Sequence, residues 1–388
     1  MPPYQFDPAR FDVAAFLRDH WQKKPLLIRN PWQAWENPLE PDELAGLACE
    51  EDVEARLISR AREAWRLEHG PIPETRFSRL GKDTWTLLVQ AVDHQIPQVA
   101  ALVTPFRFVP NWRIDDVMVS YASDGGGVGP HFDNYDVFLI QGLGRRRWRI
   151  GQHCDDTTEL LPHDDLRLLA HFEPTDEWVL EPGDMLYVPP GFAHDGVAVG
   201  DDCMTYSIGF RAPARSELVA HWCDRVLETL GDDDRYTDPD LREQANPGEI
   251  SDAAIDRLRQ MVADALLNRT AFARWFGEYT SAPKYPAVDW RPEEEIYHEG
   301  LRNALTGGAA LLRNPAARFS FIREEGSQTV LFINGRTIEC PGDLAALAER
   351  LCADDRLEFE ATDALSDEAC GLLAELVSEG SLAFEDED

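Results

Sequence analysis

Lysine is almost missing from this chain. Lys23, Lys24, Lys82 and Lys284 stand against thirty-three arginines and seventy-one acidic residues, and the formal net charge is −34. A surface this negative repels polyanions and attracts basic partners. Scarce lysine and abundant carboxylate beside an ordinary apolar content of 44% also read as adaptation to high salt, where carboxylates keep a surface hydrated and self-repulsion is screened. Cysteine is sparse and scattered, at 49, 154, 203, 223, 340, 352 and 370, with no CxxC pair. That pattern disfavours a zinc ribbon and a disulfide framework and fits a reducing cytoplasm. No window approaches eighteen apolar residues, so no membrane span is expected. The opening MPPYQFDPARFD has neither the basic nor the apolar stretch of a secretory signal. The expected location is cytoplasmic.

The apolar content argues against disorder, and 388 residues exceed one ordinary core. The spacing predicts a helix over 12–21, capped by Asp12, with Val13, Phe16 and Leu17 on one face. A short strand follows at LLIRN. Further helices are predicted over 41–51, with proline at the start, and over 83–95, where Trp85, Leu88, Val89 and Val92 form a stripe. From about 113 the period changes to two. RIDDVMVSYA, DVFLIQG, RRRWRIG, WVLEPGD, MLYVPP, GVAV and MTYSIGF read as short strands punctuated by glycine and proline. Many short strands with few helices suggest an antiparallel barrel or jelly roll.

After Pro213 the helical period returns. SELVAHWCDRVLETLG is read with Ser216 as cap. SDAAIDRLRQMVADALLN is read with Ser251 as cap and Ile255, Leu258, Met261, Val262 and Leu266 as its stripe. PKYPAVDWRPE, residues 283–293, reads as a linker. From about 294 a small α+β unit contains two turn signals, EEGS and Asn334-Gly335, then two helices, an order that fits a winged helix. Such units often hold DNA. Here residues 341–388 carry fifteen acids against Arg350 and Arg356, which opposes phosphate binding and favours a protein contact.

One motif carries chemistry. His131-Phe132-Asp133 opens an apolar strand after the glycine run at 125–127. Residues i and i+2 of a strand share a face, so both side chains can converge on one ion. Taken alone, His-x-Asp is a weak signal. His153-Cys154-Asp155 and His163-Asp164-Asp165 repeat it in an acidic stretch that reads as solvated loop. A third ligand candidate is His194, at the end of EPGDMLYVPPGFAH. Two imidazoles and one carboxylate on one face of an ion leave positions open for a chelating co-substrate and dioxygen, the non-haem Fe(II) arrangement.

HFD together with PGDMLYVPPGFAH resembles the signature of cupin, JmjC-type oxygenases. GPHFDNYDVFLIQGLGRRRWRIG and YVPPGFAH resemble the bacterial ribosomal oxygenases, which hydroxylate an arginine on a large-subunit ribosomal protein. The likeness extends over nearly the whole chain, from HWQKKPLLIRN through RIDDVMVSYASDGGGVGPH to the tail.

It implies an α+β protein. Residues 1–213 would form a JmjC catalytic domain with N-terminal helices, its double-stranded β-helix (cupin or jelly-roll) core at about 97–213. A helical dimerisation region and linker would cover 214–293, with Trp222, Trp275 and Phe276 suited to a homodimer interface or to packing within the chain. A winged-helix-like domain would cover 294–388. The resemblance assigns the metal, Fe(II), to His131, Asp133 and His194, and makes 2-oxoglutarate and dioxygen co-substrates. It assigns the distal carboxylate of 2-oxoglutarate to Arg146 and Ser120. Thr205 stands where related enzymes carry asparagine. Ser207 shares its face and is read as pocket lining.

For the substrate side, Asp116 beside Met118 suits a guanidinium, and Tyr135 suits stacking on it. Two rival readings are hydroxylation of a ribosomal histidine and a non-catalytic metal-binding cupin. A cation aimed at a keto acid, as Arg146 would be, favours the enzyme over the second. A transcription factor acting through the tail is opposed by the tail's acidity.

Overall fold

The computed structural model describes residues 4–61, 64–80, 84–163, 165–285, 288–294, 296–359 and 365–385. Lys82, Asp83, Asp164, part of the predicted linker and the last acidic residues lie outside them. Among the described residues up to 210 there are eleven strands. These are β1 Leu26–Ile28, β2 Ala55–Ala61, β3 Ala64–His69, β4 Thr84–Val89, β5 Ile114–Ala122, β6 Asp136–Leu143, β7 Arg146–His153, β8 Pro174–Leu180, β9 Met185–Val188, β10 Phe192–Ala198 and β11 Cys203–Phe210. All pairings between them are antiparallel. An eight-stranded sheet in the order β1-β9-β6-β11-β5-β4-β2-β3 faces a three-stranded sheet, β10-β7-β8.

Burial on both faces explains why β6 reads as an unbroken apolar run. Val137 and Leu139 point between the sheets, where they meet Trp148, Ile150 and Leu180. Phe138 and Ile140 point the other way, into an aromatic layer with Phe16, Trp32, Phe106, Tyr187 and Phe210. The N-terminal helix Val13–Asp19 seals that layer, capped as predicted by Asp12, whose carboxylate accepts from Ala15 N at 3.0 Å.

The segment 83–95 departs from the predicted helix. Thr84–Val89 is a strand between β2 and β5, and only the turn Val92–Gln95 is helical. The last four strand residues are fully buried, so period two is hidden, while Thr84, Thr86 and Val89 favour extended backbone. Ala91, at a φ of 52°, separates strand from turn. The hairpin β2–β3 was not anticipated either.

Beyond β11 come the helices Arg215–Leu227, Asp252–Leu266 and Arg269–Ser281. Ser251 caps the second by accepting from Ala254 N. Ser216 does not cap the first: it lies inside the helix, and Ala214 is the cap residue, its N–H held by the Glu217 carboxylate at 3.0 Å. Trp222 and Trp275 pack together within this chain, with ring centroids 5.3 Å apart, and the Trp222 indole donates to Leu266 O. Phe276 packs edge-on against Trp112.

The C-terminal unit joins the three-stranded sheet Phe319–Arg323, Thr329–Ile333, Arg336–Cys340 to the helices His298–Thr306, Leu344–Ala353 and Asp367–Ser378. Its own core centres on Leu331, Leu351, Leu373 and Leu376. No helix among the described residues is long and apolar enough to cross a membrane.

Candidate active site

Between the two sheets the chain brings His131, Asp133 and His194 together. Their ligand atoms all lie within 4.8 Å of one another, the only such cluster of histidine, cysteine and acidic side chains among the described residues. His131 and Asp133 lie just before β6 rather than within it, since that strand begins at Asp136. His131 forms an isolated antiparallel bridge with His194 on β10. Its N–H donates to His194 O at 3.0 Å, and His194 N–H returns to His131 O at 2.8 Å. Gly191 N–H holds Asp133 O at 2.7 Å. Backbone hydrogen bonds therefore fix all three positions.

The ring atoms are fixed as well. Nδ1 of His131 lies 2.8 Å from Gly129 O, and Nδ1 of His194 lies 3.0 Å from Phe192 O. A carbonyl only accepts, so each Nδ1 carries a proton, and in the neutral ring that leaves Nε2 as the ligating nitrogen. Those Nε2 atoms lie 3.9 and 3.6 Å from Asp133 Oδ2. Burial, then the neighbouring His131, pushes His194 down to about 4, so this imidazole is neutral and able to ligate near neutral pH. Among the described residues, the other two His-x-Asp sequences form no such cluster. His163 sits in an exposed loop and accepts from Asp165 N and Leu166 N.

Close approach at glycine shapes the floor. A Cβ on Gly196 would lie 2.6 Å from the Trp148 ring, and one on Gly127 would lie 2.4 Å from Gly196 O. The glycine-rich lead-in, β10 and the indole on β7 are thus stacked at contact distance.

Arg146 shares the inner face of β7 with Trp148 and Ile150, which pair with Ala198, Gly196 and His194 in register. It is 3% exposed. Its Nε lies 3.4 Å from Cys203 Sγ, and its Nη2 is buried with no hydrogen-bonding partner among the described residues. A buried guanidinium with an unused donor costs free energy unless an acceptor comes to it. Across the larger sheet, Ser120, Thr205 and Gln141 stand in one cross-strand row. Thr205 Oγ1 donates to Gln141 Oε1 at 3.1 Å, Gln141 Nε2 donates to Leu143 O at 2.7 Å, and Ser120 Oγ reaches Thr205 O at 3.5 Å. A monodentate carboxylate on Arg146 with a hydroxyl beside it fits this donor set.

The next row pairs Met118 with Ser207. Asp116, two residues further on β5, is 3% exposed, and both its oxygens accept from Gln90 Nε2 at 3.1 and 3.0 Å. Burial, then Asp115, raises its pKa. Tyr135 is 42% exposed, and its hydroxyl faces the Asp133 carboxylate, with Asp116 nearby. Sequence reasoning missed Gln90, Gln141, Cys203, Tyr285 and Arg56, whose Nη2 lies 3.9 Å from Met118 Sδ. These residues carry no motif, and only strand register and chain crossing bring them here.

The family model for the JmjC domain matches residues 101–218, and that for the ROXA-like winged helix matches 257–383. The chain is 40% identical to the ribosomal protein uL16 3-hydroxylase of Escherichia coli (strain K12), over 95% of this chain and 97% of that one. It is 38% identical to a probable ribosomal oxygenase of Haemophilus influenzae, over 69% and 68%. The structure of YcfD, a ribosomal oxygenase from Escherichia coli in complex with cobalt and 2-oxoglutarate, superposes with a TM-score of 0.86 at 36% identity, covering 99% of this chain and all of that one. With the geometry of the site, these likenesses show that the chain belongs to the JmjC-type ribosomal oxygenases.

Proposed function

We propose that the protein is an Fe(II)- and 2-oxoglutarate-dependent oxygenase that hydroxylates an arginine side chain of the large-subunit ribosomal protein uL16. The observation that carries the cofactor half is the cluster of two imidazoles and one carboxylate in the same barrel as a buried, partly unpartnered Arg146. Fe(II), when bound with 2-oxoglutarate and dioxygen, supplies the oxidation that converts a C–H bond to C–OH with release of succinate and carbon dioxide. The chain's part is to hold, orient and exclude water. His131, Asp133 and His194 would hold the metal. Arg146 and Ser120 would receive the distal carboxylate, and Thr205 would line that end, its own proton engaged by Gln141.

Arginine is favoured over histidine by Asp116. This buried carboxylate receives neutral donors and makes no ion pair among the described residues, so it suits a cation with several N–H groups. Met118, Tyr135 and Ser207 would flank the side chain. The partner is then a basic ribosomal protein rather than DNA, a reading supported by the net charge of −34, and the place of action is the cytoplasm. A homodimer is supported by an apolar face without cover: Ile255, Leu258 and Val262 on the helix Asp252–Leu266 are 49%, 46% and 60% exposed.

The test is mass spectrometry of uL16 incubated with the protein, Fe(II), 2-oxoglutarate and dioxygen. A 2-oxoglutarate-dependent gain of one oxygen on an arginine is expected. The same gain on a histidine would replace the substrate assignment, and iron-loaded protein that leaves uL16 unmodified would remove it.

A further inference from the structure

Three parts of the chain converge on the first residues of β5. Arg318, just before the strand Phe319–Arg323 of the C-terminal unit, donates from Nη1 to Ile114 O at 3.1 Å and from Nη2 to Asp115 O at 2.7 Å. The same guanidinium lies 3.4 Å from the Asp115 carboxylate. Arg211, just past β11, donates to Asp115 Oδ1 at 2.9 Å and to Thr280 O on the helix Arg269–Ser281 at 3.0 Å. Lys284, in the connection leading to the C-terminal unit, donates to Asp115 Oδ2 at 2.9 Å. Its neighbour Tyr285 turns its hydroxyl toward the Asp116 carboxylate, while its ring packs 5.9 Å from that of His94.

Adjacent carboxylates are therefore treated in opposite ways. Asp115 takes three cations, and against its burial they hold its pKa below the usual carboxylate range. Among the described residues, Asp116 accepts hydrogen bonds from the neutral Gln90 amide and is faced by the neutral Tyr285 hydroxyl. Cations that reach this corner are committed to the neighbour, and the Asp116 carboxylate is fixed in place with lone pairs left over. The two residues point to opposite faces of β5. Pinning Asp115 and the Ile114 and Asp115 carbonyls therefore sets the backbone from which Asp116 projects. Arg318 turns inward to this strand, where it can contact no nucleic acid.

We propose that the connection and the winged-helix unit act as a positioning platform: Arg318, Lys284 and Tyr285 set Asp116 for the incoming substrate guanidinium. This rests on the reading above that Asp116 receives that guanidinium. All three are positioning residues that act through Asp116.

The test is steady-state hydroxylation of an arginine-bearing uL16 peptide by the full chain carrying Tyr285→Phe, Arg318→Lys or Asp116→Asn, alone and combined. Tyr285→Phe and Arg318→Lys are each expected to raise the peptide KM about tenfold, the scale of one hydrogen bond to a charged group. The KM for 2-oxoglutarate should stay unchanged. In the Asp116→Asn background Tyr285→Phe should add nothing further, because its effect passes through that carboxylate. If Asp116→Asn raises the peptide KM and the other two do not, or if the effects multiply in the double variant, the platform is overturned and the guanidinium reading stands. An unchanged peptide KM in Asp116→Asn overturns both. Tyr285→Phe removes a single hydroxyl and carries the test alone if Arg318→Lys does not fold.

Discussion

The proposed seat for 2-oxoglutarate turns on a single nitrogen of Arg146. Buried beside Trp148 and Cys203, Nη2 has no acceptor among the described residues. Arg146→Met is expected to raise the KM for 2-oxoglutarate roughly 100-fold, the loss of a charge-assisted hydrogen bond of about 2–3 kcal/mol. The peptide KM should change far less, and an unchanged 2-oxoglutarate KM would refute the assignment. Arg146 was legible only through the family resemblance, since a run of arginines does not by itself say which of them meets a co-substrate. His131, Asp133 and His194 were legible because spacing and turn residues mark them. Gln141, Gln90 and Tyr285 were not. Each matters through a partner more than twenty residues away, and a single chain of letters carries no register between distant strands.

The turn Val92–Gln95 carries two buried groups that titrate in opposite senses. Burial, then Asp116, pushes Asp93 up to about 8, and burial, then Arg318, pushes His94 down to about 4. From about pH 4 to about 8, folded Asp93 keeps a proton that the unfolded chain has lost, so stability falls as pH rises. From about pH 4 to about 6.5, folded His94 lacks a proton that the unfolded chain binds, so stability rises. The two slopes cancel up to about pH 6.5. Above it only Asp93 remains, and stability falls by at most about 1.4 kcal/mol per pH unit. Asp93→Asn keeps an acceptor for Val117 N–H and should flatten that fall in urea unfolding at pH 6.5 and 8; an identical slope in the variant would show that Asp93 is not its source. The strand preceding this turn is where pattern reading failed. An apolar run buried on both faces has no period to display; β6 is buried in the same way and was found because glycine and proline bracket it.

At the scale of the molecule, charge and assembly are the testable quantities. With a net charge of −34, raising KCl from about 0.1 to about 1 M shortens the screening length from about 10 to about 3 Å. The melting temperature should rise in that range; a flat or falling one would contradict self-repulsion as a significant destabilising force. Leu258→Glu, placed in the uncovered stripe of the helix Asp252–Leu266, should convert a dimer to a monomer by light scattering. A wild type that is already monomeric would dispose of the dimer. The paired main-chain hydrogen bonds between His131 and His194 bear on how the protein is supplied with iron. Chain segments joined by their own amides do not depend on an ion to find each other. Stripping with a chelator should therefore silence hydroxylation without unfolding the barrel, and added Fe(II) should restore it. A cell short of iron could keep a reserve of finished, idle copies and switch them on as the metal returns.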